Sequence, residues 1–169
     1  MRSLANNVSS NILRLAYFAL FHSHLSYGVL IWGHSAIRHR LFGLQRKAVR
    51  IIDGVAFRDD CKNSFKKLKI FTLPCLYIYR CLEYVTLNVS KFHILGSDHS
   101  YNTRGNDLRY NDLRLSKSRV GVNYYCIKFF NIIPENIRYL PTKEFLKIMK
   151  LHLTEKALYL FEEYLTSSF

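Results

Sequence analysis

The chain has 169 residues, 49% of them hydrophobic and 22% charged, which excludes wholesale disorder and fits one domain or one domain with a small appendage. Seven glycines and three prolines exclude a collagen-like or linker composition. Lys and Arg number 25 against 12 Asp and Glu, a net charge of +13, so the partner class indicated is polyanionic: nucleic acid or an acidic membrane surface.

Helices dominate the pattern along the chain. Ser10 is placed to cap a helix from Asn11, and the apolar run over 12–21 has helical length. Gly28 or Gly33 ends or bends its continuation. Residues 15–37 carry no formal charge and are numerous enough to cross a bilayer. Their middle, however, is His22-Ser23-His24-Leu25-Ser26-Tyr27-Gly28, which a lipid-facing span would not tolerate. The stretch also starts too late and runs too long for a signal-peptide core. It is expected to form a buried two-helix element, with no membrane span.

Ile37, Leu41, Leu44, Ala48 and Ile51 recur every three or four residues and predict a helix with one apolar stripe, stopped by Gly54. On that reading Arg46 and Arg50 lie opposite the stripe and Lys47 on its flank. A short helix over 63–69 turns Phe65 and Leu68 inward. Thr72-Leu73-Pro74 is a start signal, because proline's missing N–H costs nothing in the first turn, and the helix runs on towards Asn88. From 90 to 121 Asp, Asn, Ser, Gly and His accumulate, predicting loop with a short strand or two near 108–115. A brief amphipathic helix over 124–133 ends at Pro134. Thr142 caps a last long helix with Leu146, Met149, Leu153, Leu160 and Tyr164 inside. The fold class is mostly α, a helical bundle followed by a loop-rich segment and C-terminal helices.

Cys61, Cys75, Cys81 and Cys126 are too sparse for a disulfide scaffold and show no C-x-x-C spacing, so they read as reduced core thiols of an intracellular protein, with nucleus and cytoplasm left open. Residues 38–69 hold ten basic side chains against three acids. That density on solvent faces suits phosphate contacts, each of which gains from counterion release. The residues expected to bind nucleic acid are Arg46, Lys47, Arg50, Lys66, Lys67 and Lys69. Lys143, Lys147 and Lys150 are offset by nearby glutamates and read as surface.

Asp59-Asp60, behind Phe57-Arg58, mimics the aromatic-x-Asp-Asp of a polymerase palm, where paired carboxylates hold two magnesium ions. That site needs two flanking strands; here a helix stop precedes the pair and a polar run follows it, so a turn or helix cap is expected. No metal-binding histidine motif, phosphate-binding glycine loop or nucleophile elbow is present in the sequence. No catalytic residue, metal ligand or cofactor site is assigned.

Several blocks occurring together resemble the region after the catalytic palm in reverse transcriptases of jockey-like non-LTR retrotransposons. They are Leu15-Ala16-Tyr17-Phe18-Ala19-Leu20-Phe21-His22-Ser23-His24-Leu25-Ser26-Tyr27-Gly28 with Trp32-Gly33, and Leu44-Gln45-Arg46-Lys47-Ala48-Val49-Arg50-Ile51-Ile52. Phe65-Lys66-Lys67-Leu68-Lys69-Ile70 with Leu73-Pro74, the loop His99-Ser100-Tyr101-Asn102-Thr103-Arg104, and Phe130-Asn131-Ile132-Ile133-Pro134 complete them, in order, over about 11–153. Asp59-Asp60 falls where that family has a loop with a histidine. The resemblance implies a fragment of an RNA-directed DNA polymerase: a thumb-like region over 1–89, a loop-rich connection over 90–123 and a C-terminal helical segment over 124–169. Such a fragment would hold an RNA or DNA template–primer through its phosphates and perform no chemistry alone, magnesium belonging to the absent palm. It would also expose apolar surface that favours self-association. The competing expectation is a basic helical scaffold or interaction protein, with or without membrane association, that has no enzymatic ancestry.

Overall fold

The structure, a computed structural model, describes residues 5, 7–92, 107–110 and 121–166. The fold is mostly α. In chain order the helices are α1 (Ser10–Ala16), α2 (Ser23–Ser26), α3 (Val29–Trp32), α4 (Ile37–Asp53), α5 (Lys62–Leu68), α6 (Leu73–Leu87), α7 (Val122–Asn131), α8 (Glu135–Arg138), α9 (Thr142–Lys156) and α10 (Phe161–Thr166).

The molecule is built round α6. Leu73, Cys75, Leu76, Tyr77, Ile78, Cys81, Leu82 and Val85 are all buried, on every side of the helix. A helix apolar all round must be enclosed, and α3, α4, α7 and α9 enclose it. The C-terminal helices therefore share one core with the thumb-like region rather than forming a separate unit. α6 starts as its sequence dictates, with Thr72 Oγ1 accepting the Cys75 N–H at 3.3 Å and Pro74 in the first turn.

The first helix begins one residue before the expected Asn11. Ser9 is its N-cap, and the Ser10 hydroxyl instead donates to the Ile52 carbonyl at 3.0 Å, joining α1 to the end of α4. Between α1 and α2 the chain makes a π-turn over Tyr17–His22, closed by the Ser23 N–H on the Phe18 carbonyl. Gly28, at φ +59°, supplies the left-handed residue that separates α2 from α3. Gly33 serves differently: a Cβ there would lie 2.4 Å from the Tyr77 ring and 2.5 Å from the Val29 carbonyl. The uncharged stretch over 15–37 is buried on one side only. Tyr17, Leu25 and Val29 face the core, whereas Leu15, Leu20, Tyr27 and Ile31 are 65–84% exposed, which corrects the fully buried element expected. Among the described residues no helix is long and apolar enough to cross a membrane.

The buried face of α4 also differs from expectation. Phe42, Gln45, Ala48, Val49 and Ile52 point inward, while Ile37 and Leu44 are exposed. The true face is turned by roughly 80°, close to one residue at 3.6 residues per turn. The reason is Gln45, fully buried and fully hydrogen-bonded. Its Nε2 donates to Tyr17 Oη and to the Phe71 carbonyl, both at 2.8 Å, and its Oε1 accepts the Leu73 N–H at 2.8 Å.

The last helix is two. At Ala157, φ +46°, the chain leaves α9, and Leu158 is held by the Cys75 thiol and the Thr72 hydroxyl. Glu163 then caps α10, accepting the N–H groups of Tyr159 and Leu160, so Leu160 is exposed rather than inside. Pro141, not Thr142, precedes the first turn of α9. Near Leu108 no strand forms: its N–H and C=O both pair with the Asn131 side-chain amide at 3.0 Å. The remainder of the expected strand at 111–115, most of the 90–121 loop and the 99–104 block lie outside the described residues. All four cysteines are buried and unpaired.

Candidate nucleic-acid interface

The basic run expected to meet phosphates lies on α4, on α5 and on the turn between them. α4 ends because Gly54 takes up φ +70°, and the chain reverses over 55–61 before α5 begins. α5 then packs against both α4 and α9, burying Ser64, Phe65 and Leu68. Its other residues, Asn63, Lys66 and Lys67, are left in solvent, because a seven-residue helix with one buried stripe exposes the rest.

The six expected side chains divide into two groups. Lys47, Lys66 and Lys69 are exposed, and none of them forms an ion pair with another described residue. Lys69 ends α5 in the left-handed region at φ +52°, which turns the chain into α6 and leaves its ammonium outside. Arg46, Arg50 and Lys67 are engaged by the protein, a correction to their placement on a free face. Because the buried face of α4 is turned, Arg46 sits at its edge, with its guanidinium 5.1 Å from the Phe42 ring centre and 5.9 Å from that of Tyr159. Its Nε is buried without an acceptor among the described residues. Arg50 donates through Nε and Nη2 to the Asp59 carbonyl at 3.0 and 2.9 Å and so clamps the turn. Lys67 Nζ lies 2.6 Å from Asp53 Oδ1, whose other oxygen accepts the Ser64 hydroxyl at 2.7 Å. Lys67 and then Ser64 hold the Asp53 carboxyl below its ordinary range. The Lys67 side chain is 72% exposed, so this pair contributes little to stability.

Two further cations of the run, Arg40 and Arg58, are exposed as well, on the outer side of α4 and at the tip of the turn. Both were visible in the charge count, but a one-stripe reading of α4 gave no reason to select them. Lys62 is partly neutralised by Glu163 at 3.3 Å.

Asp59-Asp60 forms a turn, as its flanks indicate. The Asp59 N–H reaches the Ala56 carbonyl at 3.2 Å. Asp60 Oδ1 accepts the Tyr159 hydroxyl at 2.8 Å and the Lys62 N–H at 3.2 Å, which fastens the turn to the start of α5 and to the segment before α10. The Tyr159 hydrogen bond holds the Asp60 carboxyl below its usual range. The Tyr159 phenol is pushed up, by burial first and then by its Cys61 and Asp60 neighbours. Asp60 is thus occupied in positioning. Among the described residues no three His, Cys, Asp or Glu side chains converge as a metal would require. The cleft beside the turn, lined by Arg38, His39, Phe42, Pro74, Tyr159 and Phe161, is shallow. In it the Arg38 guanidinium already covers the Phe161 ring, 4.4 Å from its centre. What the surface offers is point charges for anions. No protein-family model matches the chain, and no curated protein or solved structure matches it either.

Proposed function

We propose that this chain holds nucleic acid through the phosphates, and that it is the thumb and post-thumb segment of a jockey-like non-LTR reverse transcriptase whose magnesium-dependent palm lies outside it. It contributes template–primer binding and no chemistry of its own, inside the cell. The observation that supports this is the set of exposed cations on α4, α5 and the turn between them, Lys47, Lys66 and Lys69 with Arg40 and Arg58. The order of sequence blocks supplies the family. A second reading, an interaction scaffold, draws on the outer apolar face at Leu15, Leu20, Tyr27 and Ile31. That face equally suits a fragment that associates with further protein or with itself.

The test is the salt dependence of binding. Fluorescence anisotropy of a labelled RNA–DNA heteroduplex, titrated across a salt series, is compared for the native chain and for Lys47→Gln/Lys66→Gln/Lys69→Gln. Removing one neutralised phosphate flattens the log–log slope by about 0.9 on B-form duplex, so the triple variant is flatter by up to about 2.7. All three side chains are exposed, so helicity is retained. An identical slope, or no binding by the native chain near physiological salt, overturns the proposal.

A further inference from the structure

The turn between α4 and α5 displays an aromatic ring that the fold does not use. Phe57 is 67% exposed. The other described phenylalanines are buried or half-buried. Exposing a phenyl ring to water is unfavourable by the apolar area left wet, and a flexible loop could fold it away. This turn cannot readily do so. Phe57 and Arg58 occupy its two corners, closed by the Asp59 N–H on the Ala56 carbonyl. Arg50 grips the Asp59 carbonyl with two hydrogen bonds, Asp60 is fixed by Tyr159 and by the Lys62 N–H, and Cys61 is fully buried. The ring is held out on a braced support.

Its surroundings are cationic. Arg58 is exposed beside it, and the exposed Lys66 and Lys69 extend the positive charge along α5. Asp53 and Asp60, the acids that would repel a phosphate chain, are occupied by Lys67 and Tyr159. A rigid exposed aromatic among cations that track a backbone is the arrangement by which proteins take hold of unpaired nucleotides: phosphates meet the cations and a base stacks on the ring. We infer that Phe57 is a base-stacking residue and that the α4–α5 turn binds an unpaired nucleotide, on a single strand or at a strand end. Paired bases in a duplex already stack on one another and offer the ring no free face, so the turn discriminates strandedness. This rests on the nucleic-acid reading above and adds to it a site outside the phosphate contacts.

The experiment compares native chain, Phe57→Ala and Phe57→Trp on labelled oligothymidylate, oligouridylate and a blunt DNA duplex, by anisotropy at several salt concentrations. Phe57→Ala is expected to weaken binding to the two single-stranded probes by roughly 5- to 100-fold, the range for removing one stacking aromatic. Duplex affinity and the salt slope should stay the same, because every cation that meets a phosphate is still in place. Phe57→Trp should restore single-strand affinity, and its added indole emission should be quenched by both oligonucleotides. Equal losses on single strand and duplex, or no loss on either, overturn the inference while leaving phosphate binding in place. A native chain that binds none of the probes overturns both. A ring that stacks only deoxynucleotides or only ribonucleotides upholds the site and assigns its sugar preference.

Discussion

Gln45→Leu removes a buried amide that three separate parts of the chain share, and its effect follows from the hydrogen bonds it deletes. The substitution nearly conserves volume, so the packing term is small. What remains is three groups without partners: the Tyr17 hydroxyl, the Phe71 carbonyl and the Leu73 N–H. The Leu73 N–H belongs to the first turn of α6 and has no intrahelical acceptor to fall back on. A buried polar group left unsatisfied costs about 1–3 kcal/mol. Phe71 is half-buried and water can reach part of it, so the sum is about 3–6 kcal/mol rather than the maximum. In a chain of this length each kcal/mol moves Tm by about 2–4 °C, so Tm should fall by roughly 10–20 °C. Tyr17→Phe is the matched control. It deletes one hydroxyl and leaves Nε2 its bond to Phe71, for a cost of about 1 kcal/mol. Urea unfolding followed by circular dichroism measures both, and the double variant Tyr17→Phe/Gln45→Leu should cost less than the sum because the two share a bond. If Gln45→Leu lies within about 1 kcal/mol of the native chain, the central role given to Gln45 is refuted.

Gly33→Ala should destabilise by about 1–3 kcal/mol, since the new methyl meets the Tyr77 ring and the Val29 carbonyl backbone at less than contact distance; a thermal melt equal to the native one would contradict that packing. Burial first, then the Arg80 charge, hold the His22 pKa below its ordinary value, and burial does the same for His152. Depressed values mean that stability is full above the unfolded-state pKa near 6.5 and is lost as pH falls through the folded-state values. Tm should therefore decline as pH is lowered from neutrality, and His22→Gln should flatten that decline. Cys75, its thiol pushed up to about 11 by burial, and the three other buried cysteines should resist a thiol reagent in the native state and react together once urea unfolds the chain; rapid labelling of native protein would refute their burial.

The parts of this fold that are legible in the sequence are those decided by local backbone chemistry. Gly28 and Gly54 mark left-handed positions, and Thr72-Leu73-Pro74 marks a helix start, because each acts on its own neighbours. The orientation of α4 is not legible. Ile37, Leu44 and Ile51 imitate a core stripe, whereas the real one includes an amide whose partners stand 26 and 28 positions away. Nor does anything nearby announce the break at Ala157, which is imposed by Thr72 and Cys75 from across the core. At the candidate interface Lys47, Lys66 and Lys69 are readable as exposed. Arg50 and Lys67 are not readable as engaged, since their partners come into reach only when the turn folds back. Replacing Arg46 and Arg50 therefore disturbs an aromatic contact and a clamp as well as charge. Phe57 carries a signal of its own, an aromatic among polar turn residues, but the adjacent Asp59-Asp60 points to metals instead and masks it.

The π-turn over Tyr17–His22 bears on the permissible length of the chain. Such a turn is an α-helix that has taken in one extra residue, so the ladder from α1 to α2 could close just as well with one residue fewer. Deleting that residue would nonetheless swing everything downstream by about 100° relative to α1. Leu25 would leave its buried position, and the left-handed turn at Gly28 would point the chain away from α6. The segment is therefore intolerant of single-residue deletion even though its hydrogen bonding would improve, and its length is held by what lies after it.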